Sequence, residues 1–308
     1  MAIGTRLRHV IESQQFSRPL LEELFERADE MRADPHRAAG RLQGRIMAAL
    51  FYEPSTRTRL SFESAMLRLG GRTMGTDNAR EFSSVAKGET LEDTIRIVAG
   101  YADVIVLRHP EEGAARRAAA VSDVPVINGG DGKGQHPTQA LLDLYTIRDE
   151  LGRLDGVRVA MVGDLANGRT ARSLAYLLTR YRDVEMWFVA PEPVAMGPDI
   201  KEYLDGRAVR WHETRDLDSV LPAVDVVYQT RIQKERFADA AAYQAVSGVY
   251  VIGPDAMRRL RPDAIVMHPL PRLDEIAPAV DADPRAAYFR QARNGVQVRM
   301  ALLDMVLS

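Results

Sequence analysis

The segment FYEPSTRTRLSFE, at residues 51–63, concentrates side chains that could bind an anion. A proline follows a run of apolar residues and suits the first turn of a helix, because its missing N–H would have no partner there. The residues after it surround the free backbone N–H groups and the positive end of the helix dipole. These residues are Ser55, Thr56, Arg57 and Thr58. The sequence therefore predicts an anion site, and phosphate fits it best.

A plainer interpretation of the same segment remains open. Ser55 would only cap the helix, while Arg57 and Arg59 would pair with surface carboxylates such as Glu63. The guanidinium of Arg57 beside the hydroxyls of the same turn favours the phosphate site over this alternative.

Two glycine-rich segments do not match the nucleotide-binding motifs that they suggest at first sight. In GGDGKGQ (129–135), Lys133 is followed by glycine where a P-loop needs Ser or Thr. In VGDLANGRT (162–170), Gly163 and Gly168 do not form G-x-G-x-x-G. The sequence argues against a P-loop and against nicotinamide-dinucleotide binding.

Further polar residues follow apolar runs elsewhere in the chain. They are Arg108 in LRHPEEG, His136 and Gln139 in QHPTQ, Arg169 in DLANGRT, Arg231 and Gln233 in TRIQKER, and His268 in HPLPRLDE. Singly each is a weak signal, because an arginine is usually a solvated charge and a histidine before proline is more often a loop donor. Together they supply cations and donors without paired carboxylates, a Ser-His-Asp order or H-E-x-x-H. Such a set suits a substrate with several negative charges and a transition state that gains negative charge.

Composition limits the classes of protein that remain. The chain has 308 residues, with 41 Lys and Arg against 43 Asp and Glu, so its formal charge of −2 gives no overall attraction to nucleic acid or to anionic membranes. It has no cysteine, which excludes disulfides and thiolate metal sites and fits a reducing compartment. No apolar run approaches a membrane span, and MAIGTRLRHVIESQQ lacks the apolar core of a signal peptide. We expect a cytoplasmic globular protein.

Short β-branched runs alternate with longer segments of helical period, which predicts an α/β fold with mostly parallel sheets flanked by helices. The predicted strands are 45–52, 103–108, 124–128, 157–164, 184–191, 225–230 and 264–269. The length favours two domains. The break in composition at 129–139 places the first domain at 1–134 and the second at 135–291. The amphipathic segment 292–308 is expected to form a helix that packs back on the first domain.

In their order and spacing, FYEPSTRTRLSFE, VLRHPEEGA, QHPTQALLDLYTI, VGDLANGRT, TRIQKERF and HPLPRLDEI resemble the catalytic chains of the aspartate carbamoyltransferases. The resemblance runs from about residue 5 to the end of the chain. S-T-R-T-R with H-P-x-Q is typical of the aspartate/ornithine superfamily, whereas R-x-Q and H-P-L-P are typical of its aspartate members. The ornithine members carry a cysteine at the site of HPLP, and this chain has none.

The resemblance implies transfer of the carbamoyl group of carbamoyl phosphate to L-aspartate in pyrimidine synthesis, without a cofactor or a metal. By motif, the first domain binds carbamoyl phosphate and the second binds aspartate. Phosphate is held by Ser55, Thr56, Arg57, Thr58 and Arg108; the carbonyl oxygen by Thr58, Arg108 and His136; the carbamoyl NH₂ by Gln139 and the backbone carbonyls of Pro269 and Leu270; and aspartate by Arg169, Arg231 and Gln233.

The segment FSSVAKGETLEDTI has two interpretations. By itself it indicates a solvated loop that leads into a capped helix. By the resemblance, Ser83 and Lys87 reach the active site of a neighbouring chain, so that a homotrimer would hold three shared sites. The sequence leaves open whether a regulatory chain or a dihydroorotase partner joins that trimer.

Two other functions stay open at this point. One is a carbamoyltransferase for a different amine, and the other is a non-catalytic homologue with a structural or binding role. The full set of charge-stabilising residues argues against the second, because a scaffold does not need one.

Overall fold

The chain forms two compact units. The structure, a computed structural model, describes residues 7–77, 88–232, 243–244 and 246–308. The first unit consists of residues 1–141 together with 293–308, and the second unit consists of residues 142–292. Nothing in the described ranges forms a helix that is long and apolar enough to cross a membrane.

The first unit is built on a four-stranded parallel sheet in the order β2-β1-β3-β4. Its strands are β1 (Ile46–Phe51), β2 (Arg72–Asp77), β3 (Val104–His109) and β4 (Val126–Asp131). Its helices include α1 (Arg18–Ala33), α2 (Pro35–Ala38), α3 (Thr56–Arg68), α4 (Leu91–Ala99) and α5 (Ala114–Val121). The strands β1, β3 and β4 are buried almost throughout, as expected for a parallel sheet with both faces covered.

The second unit has a five-stranded parallel sheet in the order β7-β6-β5-β8-β9. Its strands are β5 (Arg158–Val162), β6 (Glu185–Val189), β7 (Arg210–Thr214), β8 (Val226–Gln229) and β9 (Ile265–Met267). Its helices include α7 (Arg169–Leu178), α8 (Pro198–Asp205), α9 (Leu217–Val220) and α10 (Pro254–Arg259). Two longer helices, α6 (Pro137–Leu151) and α11 (Tyr288–Leu307), each contribute residues to both units.

The predicted fold class is confirmed, and all seven predicted strands are present. The sequence analysis missed β2 and β7, each of which forms one edge of its sheet; the opposite edges are formed by β4 and β9, which were predicted. Residues of β7 are exposed or half-buried, so this strand has no continuous apolar run to reveal it. The strand β4 also extends through Gly129 and Gly130, where composition alone indicated a loop.

The last helix completes the first unit, as the sequence predicted. Asp304 near its end is buried, and its Oδ2 accepts hydrogen bonds from Arg27 at 2.8 Å and from Arg41 at 2.9 Å. The guanidinium of Arg299 lies 5.0 Å from the centre of the Phe62 ring on α3. The α11 helix is therefore held to its unit by charge and by cation–π contact as well as by apolar packing.

A buried polar network joins α6, β8 and α11 within the second unit. The hydroxyl of Tyr228 donates to Asp143 Oδ2 at 2.7 Å, and Gln291 Nε2 donates to Asp143 Oδ1 at 2.6 Å. Burial, together with the Asp143 charge, raises the pKa of Tyr228 well above its usual value, so the phenol stays protonated and keeps donating. Each carboxylate oxygen of Asp143 therefore accepts a hydrogen bond from a neutral side chain.

We predict that Tyr228→Phe lowers the free energy of unfolding by about 1.5–3 kcal/mol, because it removes a donor to a buried carboxylate. Urea denaturation followed by circular dichroism measures this change. Tyr203→Phe is the matched control, since the buried Tyr203 hydroxyl forms no hydrogen bond with the residues that the structure describes. Equal stability of the two variants would contradict the role given to the Tyr228 hydroxyl.

Candidate active site

The carboxyl ends of β1 and β3 lie side by side at one edge of the first sheet. In the parallel register Phe51 is opposite Arg108, and the N–H of Tyr52 donates to the Arg108 carbonyl at 2.9 Å. Four residues after Phe51 the chain reaches the N-terminus of α3. Segments that are distant in sequence, STRT and LRH, therefore meet at the same edge.

The N-terminus of α3 retains unused donors. Ser55 is the N-cap residue, yet its side chain forms no capping hydrogen bond. Over the described ranges of the chain, the backbone N–H groups of Thr56, Arg57 and Thr58 have no acceptor. Several free N–H groups at the positive end of a 13-residue helix form a site that is ready to receive an anion.

The two arginines of STRTR differ in their environments. Arg59 Nε lies 2.7 Å from Glu63 Oε1, one turn further along α3. Arg57 forms neither a hydrogen bond nor an ion pair with any residue that the structure describes, and partial desolvation lowers the pKa of its guanidinium. The plainer interpretation of the segment therefore holds for Arg59 and fails for Ser55 and Arg57.

Arg108 extends from the end of β3 and is largely shielded from solvent. Its Nη1 donates to the carbonyl of Gly129 on the adjacent strand at 3.2 Å, and its Nε lies 3.5 Å from Glu53 Oε2. Only 15% of the side chain is exposed, so these two contacts hold the guanidinium at the edge of the sheet.

The loop between β4 and α6 is organised by a carboxylate that the sequence analysis did not single out. Asp131 is buried, and its Oδ1 accepts from Asn128 Nδ2 and from the Gln135 N–H, both at 3.0 Å. Its Oδ2 accepts from the Gly113 N–H at 2.9 Å. An acidic residue among four glycines was the available signal, because a short carboxylate can close such a loop on its own backbone.

His136 follows this loop and lies directly before the first residue of α6. Its ring is buried, and Nδ1 lies 3.4 Å from the Thr138 hydroxyl. Its carbonyl accepts from the N–H of Gln139 at 3.0 Å, which places Gln139 in the first turn of the same helix, half-buried. His136 and Gln139 are thereby fixed beside each other at the edge where β3 and β4 end.

The other predicted residues lie at the carboxyl edge of the second sheet. Arg169 opens α7 after β5, Arg231 follows β8, and Pro269 and Leu270 follow β9. The strands β5, β8 and β9 are consecutive neighbours, with Val162 opposite Gln229 and Tyr228 opposite Met267. Open parallel sheets bind ligands at this edge.

Arg231 lines a pocket of the second unit. Its neighbours there include Gly163, Thr230, Leu273, Asp274 and Glu275, and Arg169 is not among the described residues that form the wall. Gly163 has φ +115°, and a Cβ on it would lie 2.3 Å from the Thr230 carbonyl oxygen. Only glycine therefore lets β5 approach Thr230 closely enough to shape this pocket.

The HPLP segment forms a tight turn after β9. His268 is buried, and its Nδ1 accepts a hydrogen bond from the Leu270 N–H at 2.7 Å. Leu270 has φ +56°, in the left-handed region, and the Leu270–Pro271 peptide bond is cis. Three predicted residues, Ser83, Lys87 and Gln233, lie outside the described residues, so their roles stay predictions.

Comparisons with known proteins identify the family of the chain. Residues 8–149 match the carbamoyl-phosphate-binding domain of the aspartate/ornithine carbamoyltransferases, and residues 155–306 match the aspartate/ornithine-binding domain. The chain is 60% identical to the chloroplastic aspartate carbamoyltransferase of Oryza sativa over 100% of this chain and 87% of that protein. It is 53% identical to the aspartate carbamoyltransferase catalytic subunit of Methanocella arvoryzae over 97% of each chain.

A solved structure is similar across the whole length. The aspartate transcarbamoylase of Trypanosoma cruzi in complex with carbamoyl phosphate and aspartate has a TM-score of 0.93 and 45% sequence identity, covering 98% of this chain and 97% of that one. With both domains matched and the identities above, the chain belongs to the aspartate/ornithine carbamoyltransferase family.

Proposed function

We propose that this protein transfers the carbamoyl group of carbamoyl phosphate to the α-amine of L-aspartate, giving N-carbamoyl-L-aspartate and phosphate for pyrimidine biosynthesis. The observation that carries the proposal is the α3 N-terminus, where Arg57 and three backbone N–H groups have no partner among the described residues. The identity of 50–60% to several relatives named aspartate carbamoyltransferase supports aspartate as the acceptor.

The phosphate group binds at this N-terminus. Ser55, Thr56 and Thr58 offer hydroxyls, and Arg57 offers a planar pair of donors that matches two phosphate oxygens. A partly desolvated guanidinium without a partner gains more from an incoming anion than a solvated one, because little of its charge is already screened.

The carbonyl oxygen of the carbamoyl group gains negative charge as the amine attacks. Thr58, Arg108 and His136 are proposed to donate to that oxygen. Thr58 and His136 are buried, and Arg108 is held by Gly129 and Glu53, so these donors need little reorganisation when the charge develops.

The remaining groups orient the two substrates. Gln139 and the carbonyls of Pro269 and Leu270 are proposed to bind the carbamoyl NH₂. Arg169, Arg231 and Gln233 are proposed to bind the two carboxylates of aspartate, and the pocket that Arg231 lines supports the assignment of Arg231. Correct orientation of amine and carbonyl contributes up to roughly 7–11 kcal/mol to lowering the barrier.

The proton balance does not require a strongly basic side chain. The neutral amine nitrogen of aspartate bonds to the carbamoyl carbon, and the bond from that carbon to the phosphate oxygen breaks. The departing phosphate takes the proton that the amine loses, so the products are N-carbamoyl-L-aspartate and inorganic phosphate.

A homotrimer with shared active sites is the proposed assembly. Apolar side chains of the first unit support it: Leu60 and Leu67 on α3 are 56% and 58% exposed, and Met74 on the edge strand β2 is 40% exposed. Leu60 and Leu67 lie two turns apart on one face of the helix, which is the pattern of a surface that another chain covers. Ser83 and Lys87 would then complete the site of the neighbouring chain.

The compartment and the partners of the trimer are also proposals. We place the reaction in the cytoplasm, because the absence of cysteine fits a reducing environment, while several plant relatives are named chloroplastic. The name catalytic subunit, given to the Methanocella arvoryzae relative, is the reason to test for a regulatory chain here.

Acceptor specificity tests the proposed reaction. We expect the purified protein to release phosphate from carbamoyl phosphate with L-aspartate and to show at least about 10³-fold lower kcat/KM with L-ornithine, because an acceptor without a second carboxylate leaves arginines of the site unpaired. Comparable turnover with ornithine, or none with either amine, would contradict the assignment.

The phosphate site is tested by comparing two neighbouring arginines. We expect Arg57→Ala to lower kcat/KM for carbamoyl phosphate by about 10²–10³-fold, because it removes a charge-stabilising donor. Arg59→Ala removes the pair with Glu63, which contributes about 0.3–0.5 kcal/mol of stability, and should leave the kinetics near normal. The assignment is wrong if both variants behave alike.

Mixing two inactive variants tests the shared sites. Arg57→Ala and Lys87→Ala are unfolded together in a 1:1 mixture and refolded, so that mixed trimers contain some sites with neither substitution. For random assembly we expect about a quarter of the wild-type activity to return, because each mixed trimer has one intact site. Sites within a single chain would recover no activity.

A further inference from the structure

The ring of His268 makes hydrogen bonds through both nitrogens. Nδ1 accepts from the Leu270 N–H at 2.7 Å, and Nε2 lies 2.8 Å from Glu275 Oε1. Because Nδ1 is an acceptor, the neutral ring carries its proton on Nε2 and donates it to Glu275. His268 is 2% exposed and Glu275 is 7% exposed, so water does not compete for either bond.

Further contacts fix the ring and its partner. The backbone N–H of His268 donates to Gln291 Oε1 at 2.9 Å, and Gln291 in turn donates to Asp143 at 2.6 Å. Glu275 Oε2 accepts from the Leu273 N–H at 3.1 Å. Burial tends to raise the pKa of Glu275, but its hydrogen bonds and the nearby ring lower it overall, so the carboxylate stays an acceptor.

The bond to Leu270 determines the direction of one carbonyl. The Pro269–Leu270 peptide is planar and trans, so its C=O and N–H point in opposite directions. With the N–H of Leu270 directed at His268 Nδ1, the Pro269 carbonyl must point away from the ring. Pro269 has no N–H of its own that could draw the turn into another arrangement.

A similar turn occurs in the first unit. His109 precedes Pro110 at the end of β3, and its Nδ1 accepts from the Glu111 N–H at 3.1 Å. Burial lowers the pKa of His109, which keeps that ring neutral and able to accept. A His-Pro pair that ends a strand is thus used twice in this chain to fix the peptide after the proline.

We propose that His268 is a positioning residue for carbamoyl transfer: through the Leu270 N–H it orients the Pro269 carbonyl that accepts from the carbamoyl NH₂. This inference rests on the proposed function. His268 does not touch the substrate itself. Misorientation of the carbonyl would twist the carbamoyl group away from the attacking amine, and would therefore lower kcat more than it weakens binding of carbamoyl phosphate.

Two amide substitutions of His268, to Asn and to Gln, distinguish an effect on the position of the Pro269 carbonyl from an effect on stability. In His268→Asn, the side-chain oxygen can accept from the N–H two residues on, as in an Asx-turn, but the bond to Glu275 is lost. In His268→Gln, the longer side chain can donate to Glu275, but an acceptor for Leu270 is lost. Both variants lose one of the two buried hydrogen bonds, so their losses of stability should be similar.

We expect His268→Gln to lower kcat by about 10- to 100-fold with little change in KM for carbamoyl phosphate, and His268→Asn to keep kcat within about threefold of wild type. Rates are compared per folded protein, with unfolding curves measured for each variant. Equal kcat in the two variants would overturn the positioning role, because a purely structural residue affects both alike.

A measurement on the unmodified protein covers the case in which a variant does not fold. Nitrogen NMR of histidine-labelled protein should show His268 neutral at pH 7 with its proton on Nε2, and a proton on Nδ1 would overturn the inference. A wild-type protein that does not carbamoylate aspartate overturns the proposed function and this role together. An active wild type with an unimpaired His268→Gln variant overturns the role of His268 alone.

Discussion

Parallel strands deliver their carboxyl ends to the same edge of a sheet, and the candidate site depends on this constraint. In the first unit, β1 and β3 end at Phe51 and Arg108, which are opposite each other. The N-terminus of α3 and the guanidinium of Arg108 therefore share an edge with the loop that leads to His136. The second unit repeats the principle with β5, β8 and β9. No single segment of the chain could supply so many donors at the edge of one sheet.

Much of this arrangement could be predicted from the sequence, and what was missed has physical reasons. The central strands β1, β3 and β5 are largely apolar because both of their faces are covered, so they are visible as runs. The strands β2 and β7 carry polar residues, so composition does not distinguish them from loops, whereas the other two edge strands, β4 and β9, are buried and were predicted. Asp131 was missed although the glycines around it were a local signal; its contact with Gly113 is distant in sequence, and no local pattern predicts it.

The site residues show where a motif is informative and where it is not. STRTR contains two arginines that the sequence alone does not distinguish. The structure shows that Arg59 pairs with Glu63, whereas Arg57 does not. Similarly, His268 of HPLP was a weak signal in the sequence. Its role depends on the hydrogen bond that its Nδ1 accepts from the Leu270 N–H, and the sequence does not show that bond. Residue identity predicted the chemistry of the donors, whereas their availability required knowledge of every neighbouring acceptor.

The helices α6 and α11 belong to both units, and this arrangement determines the order in which the two units can complete their folds. Residues 142–292 lie in sequence between the body of the first unit and its final helical segment at 293–308. On the ribosome, most of the first unit is therefore synthesised before the second unit, but it lacks its last helical segment until residues 293–308 have been translated. Until then Arg27 and Arg41 lack the carboxylate of Asp304, which is translated after the whole of the second unit. The second unit is complete in sequence before the first, so the unit whose body is translated earlier is the last to close its core.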